Sequence, residues 1–97
     1  MMSLREELQR QHDIVLSIAG RHGATNLRLF GSVAPGEERP DSDVDLWIDL
    51  SPERGVGDYL GLAEALEALL HRRVDLVLSR SLSRHFRPFI EAEARPV

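Results

Sequence analysis

Residues 43–50 alternate between aliphatic side chains and polar or aromatic ones, and this pattern constrains the fold more than any other in the chain. Successive side chains of a β-strand point to opposite faces, so a period of two predicts a strand that is buried on one face. The aliphatic positions are Val44, Leu46, Ile48 and Leu50, and the other face carries Asp43, Asp45, Trp47 and Asp49. We expect a sheet whose aliphatic face is covered by helices.

The remaining periodicities predict the order helix, strand, strand, helix, strand, helix. Ser3 and Glu6 form a capping box for a helix that Gly23 ends, and a strand follows over residues 25–30. A polar loop over 35–42 precedes the alternating strand. Asp58 is a candidate N-cap of the next helix, and residues 74–78 form a short strand. The last helix is capped by Ser81 and either begins or kinks at Pro88. The predicted fold is α/β in composition (α+β): a small mixed β-sheet with flanking helices.

Length and composition exclude several classes of protein. With 97 residues, the chain predicts a single domain over 1–97, with no room for a separate substrate domain. The sequence contains no cysteine and no lysine, so thiolate zinc sites and a phosphate-loop lysine are excluded. No apolar run is long enough for a membrane span, and we expect a cytoplasmic protein. A net charge of −4 argues against direct nucleic-acid binding, while self-association stays open.

Two short segments carry the candidate chemistry. Gly31 and Ser32 follow the first predicted strand; a glycine admits a phosphate close to the backbone, and a helix begun by the serine would offer free N–H groups. Asp43 and Asp45 then project from one face of the next strand. Neighbouring ionised carboxylates repel each other unless a cation neutralises them, and Mg²⁺ prefers such oxygen ligands. Asp75 interrupts an apolar strand and is the candidate third carboxylate.

This order of motifs resembles the nucleotidyltransferase superfamily that includes DNA polymerase beta, and most closely its minimal nucleotidyltransferases. The resemblance covers roughly residues 25–80. It rests on Leu29-Phe30-Gly31-Ser32, on Ser42-Asp43-Val44-Asp45-Leu46 and on Val74-Asp75-Leu76-Val77.

The resemblance implies a nucleotidyltransferase fold and a Mg²⁺-dependent transfer of a nucleoside monophosphate from a nucleoside triphosphate to a hydroxyl. It implies that Gly31 and Ser32 bind the nucleotide, and that Asp43, Asp45 and Asp75 are catalytic and bind the metal. Many members of the family act as the antitoxin of a HEPN-type toxin, and some transfer AMP from ATP to it. Pro35 stands where the family often has an arginine; Arg28 and Arg39 are candidates to replace that arginine.

The sequence leaves structural alternatives open beside each functional one. Asp75 is also a candidate ion-pair partner of Arg72 or Arg73, and Trp47 either walls the nucleotide site or only covers the sheet. In the Arg-rich region 72–87, Arg80, Arg84 and Arg87 form either a solvated stripe or a surface that faces a partner or RNA. The four histidines are expected at the surface. A calcium-binding loop that starts at Asp41 is excluded, because its sixth and twelfth positions hold Leu46 and Pro52 instead of Gly and Glu. A dinucleotide-binding loop near Gly55 is disfavoured, because the chain has no room for the rest of that fold. The alternative to an enzyme is a module that neutralises its partner by binding alone.

Overall fold

The computed structural model of the chain describes residues 4–30 and 43–97. Its helices are α1 (Leu4–Arg10), α2 (His12–Arg21), α3 (Val56–Leu70) and α4 (Arg87–Glu93), and a 3-10 turn spans Ser79–Ser81. Its strands are β1 (Ala24–Phe30), β2 (Val44–Leu50), β3 (Val74–Leu78) and β4 (Arg95–Pro96). The predicted order of elements is confirmed, and the short strand β4 is an addition that the sequence analysis missed.

The four strands form one mixed sheet in the order β3-β2-β1-β4. The strand β1 is antiparallel to both β2 and β4, whereas β2 and β3 are parallel. Parallel neighbours require a crossover connection, and α3 provides it between β2 and β3. The predicted fold class, a mixed sheet with flanking helices, is therefore confirmed.

The core lies between the helices and one face of the sheet. The aliphatic residues Val44, Leu46 and Ile48 of β2 are completely buried, together with Leu62 and Leu66 of α3. Helix α1 adds Leu4 and Leu8 to this core, and α2 adds Val15 and Ala19. The alternation that predicted β2 thus identified its buried face correctly, and this arrangement leaves the aspartate side of β2 on the opposite face of the sheet.

Three details of the predicted helices are wrong. Ser81 does not cap the last helix, because it lies in the 3-10 turn and α4 begins at Arg87, after Phe86. The first helix is interrupted at Gln11, whose backbone angles of φ −105° and ψ 18° depart from helical values and separate α1 from α2. Asp58 is not an N-cap, because α3 begins two residues earlier, after Gly55. Asp58 instead lies in the first turn, where it accepts a 3.3 Å hydrogen bond from Arg54. Ser3, the expected cap of the first helix, lies outside the described residues.

The turn from α2 into β1 depends on Gly23. Its φ of 75° lies in the left-handed region that side chains disfavour. A Cβ atom at this position would approach the Cγ atom of Arg54 to 2.6 Å. The predicted role of Gly23 in ending the helical segment is therefore supported by both its conformation and its surroundings.

A bulge in β1 decides which of its side chains face the aspartates. The register with β2 shifts by one residue between Thr25 and Arg28, and Asn26 within the bulge has a φ of 52°. An extra residue in one strand reverses the faces of all residues after it. The bulge therefore places Leu27 in the core and Arg28 on the aspartate face.

The longest helix in the described ranges has 15 residues, and none there is both long and apolar enough to cross a membrane.

Candidate active site

The predicted carboxylates come together at one end of the sheet. Strands β2 and β3 are paired in the register that sets Asp45 directly beside Asp75. Asp43 precedes Asp45 by two residues at the beginning of the strand, and residues two apart share a face. Three carboxylates that are separated by up to 32 positions in the sequence thus lie on one surface.

Contacts at the beginning of β2 and β3 hold this register. The backbone N–H of Val44 donates to the carbonyl of Arg73 at 2.8 Å. The backbone N–H of Val74 donates to the carboxylate of Glu67, near the end of α3, at 3.0 Å. Both strands are therefore fixed immediately before the positions that carry Asp45 and Asp75.

Asp45 lies in an unfavourable electrostatic environment. Partial burial raises the pKa of this carboxyl group above its ordinary value, and the charges of Asp75 and Asp43 raise it further. All three effects disfavour the ionised form, so the folded chain maintains mutual repulsion among these side chains. A bound cation would remove that repulsion.

The donor set fits Mg²⁺ as an open site. Within residues 4–30 and 43–97, no group of three acidic, histidine or cysteine side chains is arranged so that it could hold a metal ion by itself. Mg²⁺ seldom depends on such a group alone, because it is commonly held by one or two carboxylates together with water and substrate phosphates. Asp43, Asp45 and Asp75 offer hard oxygen ligands of this kind, and their repulsion favours a divalent ion between them and a phosphate.

The first strand ends beside the same carboxylates. Phe30, the last residue of β1, lies directly opposite Asp45 on β2. The next residues in the sequence are Gly31 and Ser32, which lie outside the described residues, as do Pro35 and Arg39. Phe30 entered the sequence analysis only as part of the motif Leu29-Phe30-Gly31-Ser32, without a role at the site, although its position before Gly31 at the end of a strand was a usable signal.

Trp47 is almost completely buried on the aspartate face of the sheet. Its side chain is only 2% exposed, and its indole N–H donates to the Ser79 hydroxyl at 2.7 Å. The Arg28 guanidinium stacks on the ring at 3.5 Å from its centroid. Of the two alternatives for Trp47, its burial therefore favours the structural one.

Arg28 is held in a polar network beside Trp47. It donates to the carbonyl of Asn26 at 2.9 Å and to Asp49 at 3.3 Å. Asp49 also accepts hydrogen bonds from Ser79 and Asn26, and these bonds, with the charge of Arg28, hold its pKa below the ordinary value. Because its guanidinium is already engaged, Arg28 is poorly placed to replace the arginine that Pro35 displaces.

The ion pairs near Asp75 do not support the structural alternative, in which Asp75 pairs with Arg72 or Arg73. Arg72 forms a salt bridge with Glu7 at 3.3 Å, and in the described ranges no salt bridge reaches Asp75. Asp75 itself is exposed on the edge strand. The structural explanation for a charge in this strand, pairing with Arg72 or Arg73, therefore lacks support.

Of the four histidines, His22 departs from the expected surface position. Its side chain is 26% exposed, and its Nδ1 atom lies 3.5 Å from Asp58. Gly61 makes room for the ring, because a Cβ atom there would meet the ring at 2.8 Å. His22 therefore packs α2 against α3 on the helical side of the sheet, whereas Asp45 and Asp75 lie on the other side.

A cavity of about 470 Å³ lies between α1 and the C-terminal strand β4. Leu29 lines it, and Leu29 is paired with the core residue Leu46. The cavity is therefore on the helical side of the sheet, whereas the carboxylates lie on the other side, and it does not belong to the candidate active site.

The geometry defines a class of domain: a small mixed sheet that presents aspartates from two parallel strands beside the end of a third strand. Residues 2–97 match the family model of the nucleotidyltransferase domain. The chain belongs to this family, as its motifs had indicated.

Individual relatives make the assignment more specific. The chain is 44% identical over 62 residues to the protein adenylyltransferase MntA of Thermococcus cleftensis. That match covers 64% of this chain and 63% of the relative, which is less than two thirds of the relative's length. A solved structure described as a minimal nucleotidyltransferase is 44% identical, with a TM-score of 0.82, and the match covers 95% of this chain and 94% of that one.

A more distant structure has the same fold. It is the complex of a tri-AMPylated HEPN toxin from Shewanella oneidensis with its MNT antitoxin. The similarity has a TM-score of 0.66 at 20% identity and covers 91% of this chain and 69% of the matched chain.

Proposed function

We propose that this chain is a Mg²⁺-dependent nucleotidyltransferase that transfers AMP from ATP to a hydroxyl group of a partner protein, as the cytoplasmic antitoxin of a HEPN-type toxin. The observation that carries the proposal is the pairing of Asp45 with Asp75 across parallel strands, with Asp43 on the same face. The raised pKa of Asp45 supports it, because such repulsion is retained where a cation is to be bound. In this proposal Gly31 and Ser32, which follow Phe30, bind the triphosphate.

The reaction is a displacement at phosphorus. The acceptor oxygen forms a bond to the α-phosphorus of ATP, the bond from that phosphorus to the bridging oxygen breaks, and pyrophosphate leaves. The hydroxyl proton passes to a carboxylate, for which Asp75 is the candidate because it is exposed on the edge strand. Mg²⁺, when bound, neutralises the phosphate charge. The side chains contribute mainly by positioning and by charge, as in phosphoryl transfer generally.

The acceptor is assigned to a partner protein because of what two similar proteins are named. The relative from Thermococcus is named a protein adenylyltransferase, and the MNT antitoxin of similar fold was solved with an AMPylated HEPN toxin. A HEPN-type protein is therefore the first acceptor to test.

Intact-mass spectrometry tests the proposal directly. The HEPN-type protein of the same genome is incubated with the chain and Mg²⁺-ATP, and its mass is followed with time. We expect gains in whole AMP units, no gain without Mg²⁺, and a loss of the reaction in Asp43→Asn. Asp13→Asn is the matched control, because the substitution removes the same charge at a side chain that is fully exposed on α2.

A stable complex with no mass gain, unaffected by Asp43→Asn, would instead identify a module that neutralises its partner by binding. Absence of both the mass gain and the complex would refute the HEPN-type partner. Isothermal titration with Mg²⁺ and a non-hydrolysable ATP analogue then establishes separately whether the carboxylates bind nucleotide.

A further inference from the structure

The C-terminal segment around α4 exposes two of the few aromatic side chains of this protein. Phe86 is 66% exposed and Phe89 is 72% exposed. They are three residues apart, and the turn is helical because the N–H of Phe89 donates to the carbonyl of Phe86 at 3.1 Å. Residues with this spacing lie on one face of a helix, so the two rings form an apolar pair in solvent.

This segment also carries positive charge. Residues 76–90 include Arg80, Arg84 and Arg87 and no acidic residue. Arg87 is paired with Glu91 at 2.8 Å, whereas Arg80 and Arg84 are exposed and join no salt bridge in the described ranges. We call Arg80, Arg84, Phe86 and Phe89 together the α4 surface.

The α4 surface adjoins the candidate active site. The guanidinium of Arg87 lies 5.8 Å from the centre of the Trp47 ring. Trp47 shares the face of β2 with Asp45, two residues away, which is about 7 Å along a strand. An extended polypeptide that presents a hydroxyl at Asp45 reaches Arg87, in the segment that carries the α4 surface, after roughly three to five residues at about 3.3 Å each.

The charges of the two regions are opposite. An acidic residue next to the acceptor hydroxyl would be repelled by Asp43, Asp45 and Asp75. An acidic residue three to five positions away would meet Arg80 or Arg84, and an apolar residue beside it would cover Phe86 or Phe89. A nucleic acid suits this surface less well, because its evenly spaced phosphates would also face the aspartates, Glu91 and Glu93.

We infer that the α4 surface binds the acceptor protein, and that it selects a segment whose acidic and apolar residues lie three to five positions from the modified hydroxyl. This inference rests on the proposed transfer to a protein and specifies the substrate class. It makes Arg84 and Phe89 specificity determinants that act in binding and take no part in the chemical step.

Two synthetic peptides of identical composition test the inference. Each contains one tyrosine, four glutamates and two leucines in a background of glycine and serine. In the distal peptide the glutamates and leucines lie three to five positions on either side of the tyrosine; in the proximal peptide they are adjacent to it. Because the two peptides have the same net charge, a difference in affinity reports the position of the acids.

Fluorescence anisotropy of the labelled peptides gives the affinity for the full chain. We expect the distal peptide to bind at least about fivefold more tightly in low salt, with the preference reduced at higher salt, as for exposed charge pairs. Arg84→Gln and Phe89→Ala should each abolish most of the preference. Arg10→Gln and Ile14→Ala are the matched controls, because these residues are exposed on α1 and α2, and they should retain it.

Equal affinity for the two peptides, no binding of either, or a preference that survives both substitutions would overturn the inference. Tighter binding of a ten-residue oligouridylate, lost in the same two variants, would overturn it in favour of a nucleic-acid surface. These measurements do not require catalysis, so a failure of AMP transfer would reject the proposed function while leaving the peptide preference to be judged by itself.

Discussion

Replacing Asp45 by asparagine should stabilise the folded chain at neutral pH. The pKa of Asp45 is raised in the folded state by burial and by the charges of Asp75 and Asp43. At pH 7 the carboxylate of Asp45 is therefore ionised in an environment whose burial and negative charge disfavour the ionised form. Asparagine has nearly the same shape and removes the charge, so Asp45→Asn relieves the repulsion without emptying the space.

The magnitude follows from the strand register. Asp75 is the direct cross-strand neighbour of Asp45, at a strand spacing of about 4.8 Å, and Asp43 is about 7 Å away along the strand. In water these distances correspond to roughly 0.9 and 0.6 kcal/mol of repulsion. Screening at physiological ionic strength halves that sum, and partial burial restores part of it, so we expect a gain of about 1 kcal/mol. For a domain of this size, 1 kcal/mol raises Tm by about 4–8 °C.

The sign of the pH dependence is fixed by the direction of the shift. A raised pKa in the folded state means that the folded chain binds this proton more tightly than the unfolded chain does. The destabilisation is absent below the unfolded value of 3.8, grows as the pH rises through the folded pKa, and is complete above it. The advantage of Asp45→Asn should therefore be full at pH 7 and vanish near pH 3.5.

Thermal unfolding followed by circular dichroism is the assay, at pH 7 and pH 3.5 and in low and high salt. Asp13→Asn is the control for an unspecific effect of net charge, because Asp13 is fully exposed on α2. A lower or unchanged Tm for Asp45→Asn at pH 7, or an equal gain in the control, would refute the account of mutual repulsion. A gain that persists undiminished at pH 3.5 would refute its electrostatic origin.

Three further substitutions test the packing around the site, each by thermal or urea unfolding. Asp49→Ala should lower the free energy of unfolding by about 1 kcal/mol, because Asp49 accepts hydrogen bonds from Ser79 and Asn26. The contribution of Asp49 to stability should fade as the pH falls through its lowered pKa, so an equal loss at pH 2 and pH 7 would contradict this pH dependence. Leu66→Ala should lower the free energy of unfolding by about 2–5 kcal/mol, because Leu66 is fully buried in α3. A loss below about 1 kcal/mol would show that the core collapses into the space that the shorter side chain leaves. His71→Gly should stabilise by about 1 kcal/mol, because His71 ends α3 with a left-handed φ of 55°, and a lower Tm would reveal a role for the imidazole.

The sequence predicted the parts of the fold that depend on local pattern. The strand β2 was found from its alternation, and β3 from a short apolar run with Asp75 inside it. Gly23 was found from its position after an amphipathic segment. Such features are readable because period and chain reversal are properties of neighbouring residues.

The errors have physical reasons that lie outside any local window. Strand β4 has two residues, and pairing with Arg28 and Leu29 of β1 alone makes it a strand. Asp58 does not cap α3, and its carboxylate lies 3.5 Å from His22, a residue at the end of an earlier helical segment that is distant in the sequence. The pairing of Arg72 with Glu7 joins positions 65 apart in the chain, so the sequence offered Asp75 as an equally reasonable partner.

By itself, then, the sequence determined which residue types are available for the chemistry: two aspartates on one strand face, a third in a later strand, and a Gly-Ser pair between them and the first strand. Only the tertiary structure decided that Asp45 lies directly beside Asp75, because the register of two parallel strands is set by α3 and by contacts at their beginnings. It also decided that the bulge at Asn26 turns Arg28 onto Trp47. The same structure brings Arg87 of α4 to 5.8 Å from the Trp47 ring and leaves Phe86 and Phe89 exposed in that segment. A one-residue shift in a strand reverses every side chain after it, and that choice depends on partners that are distant in the sequence.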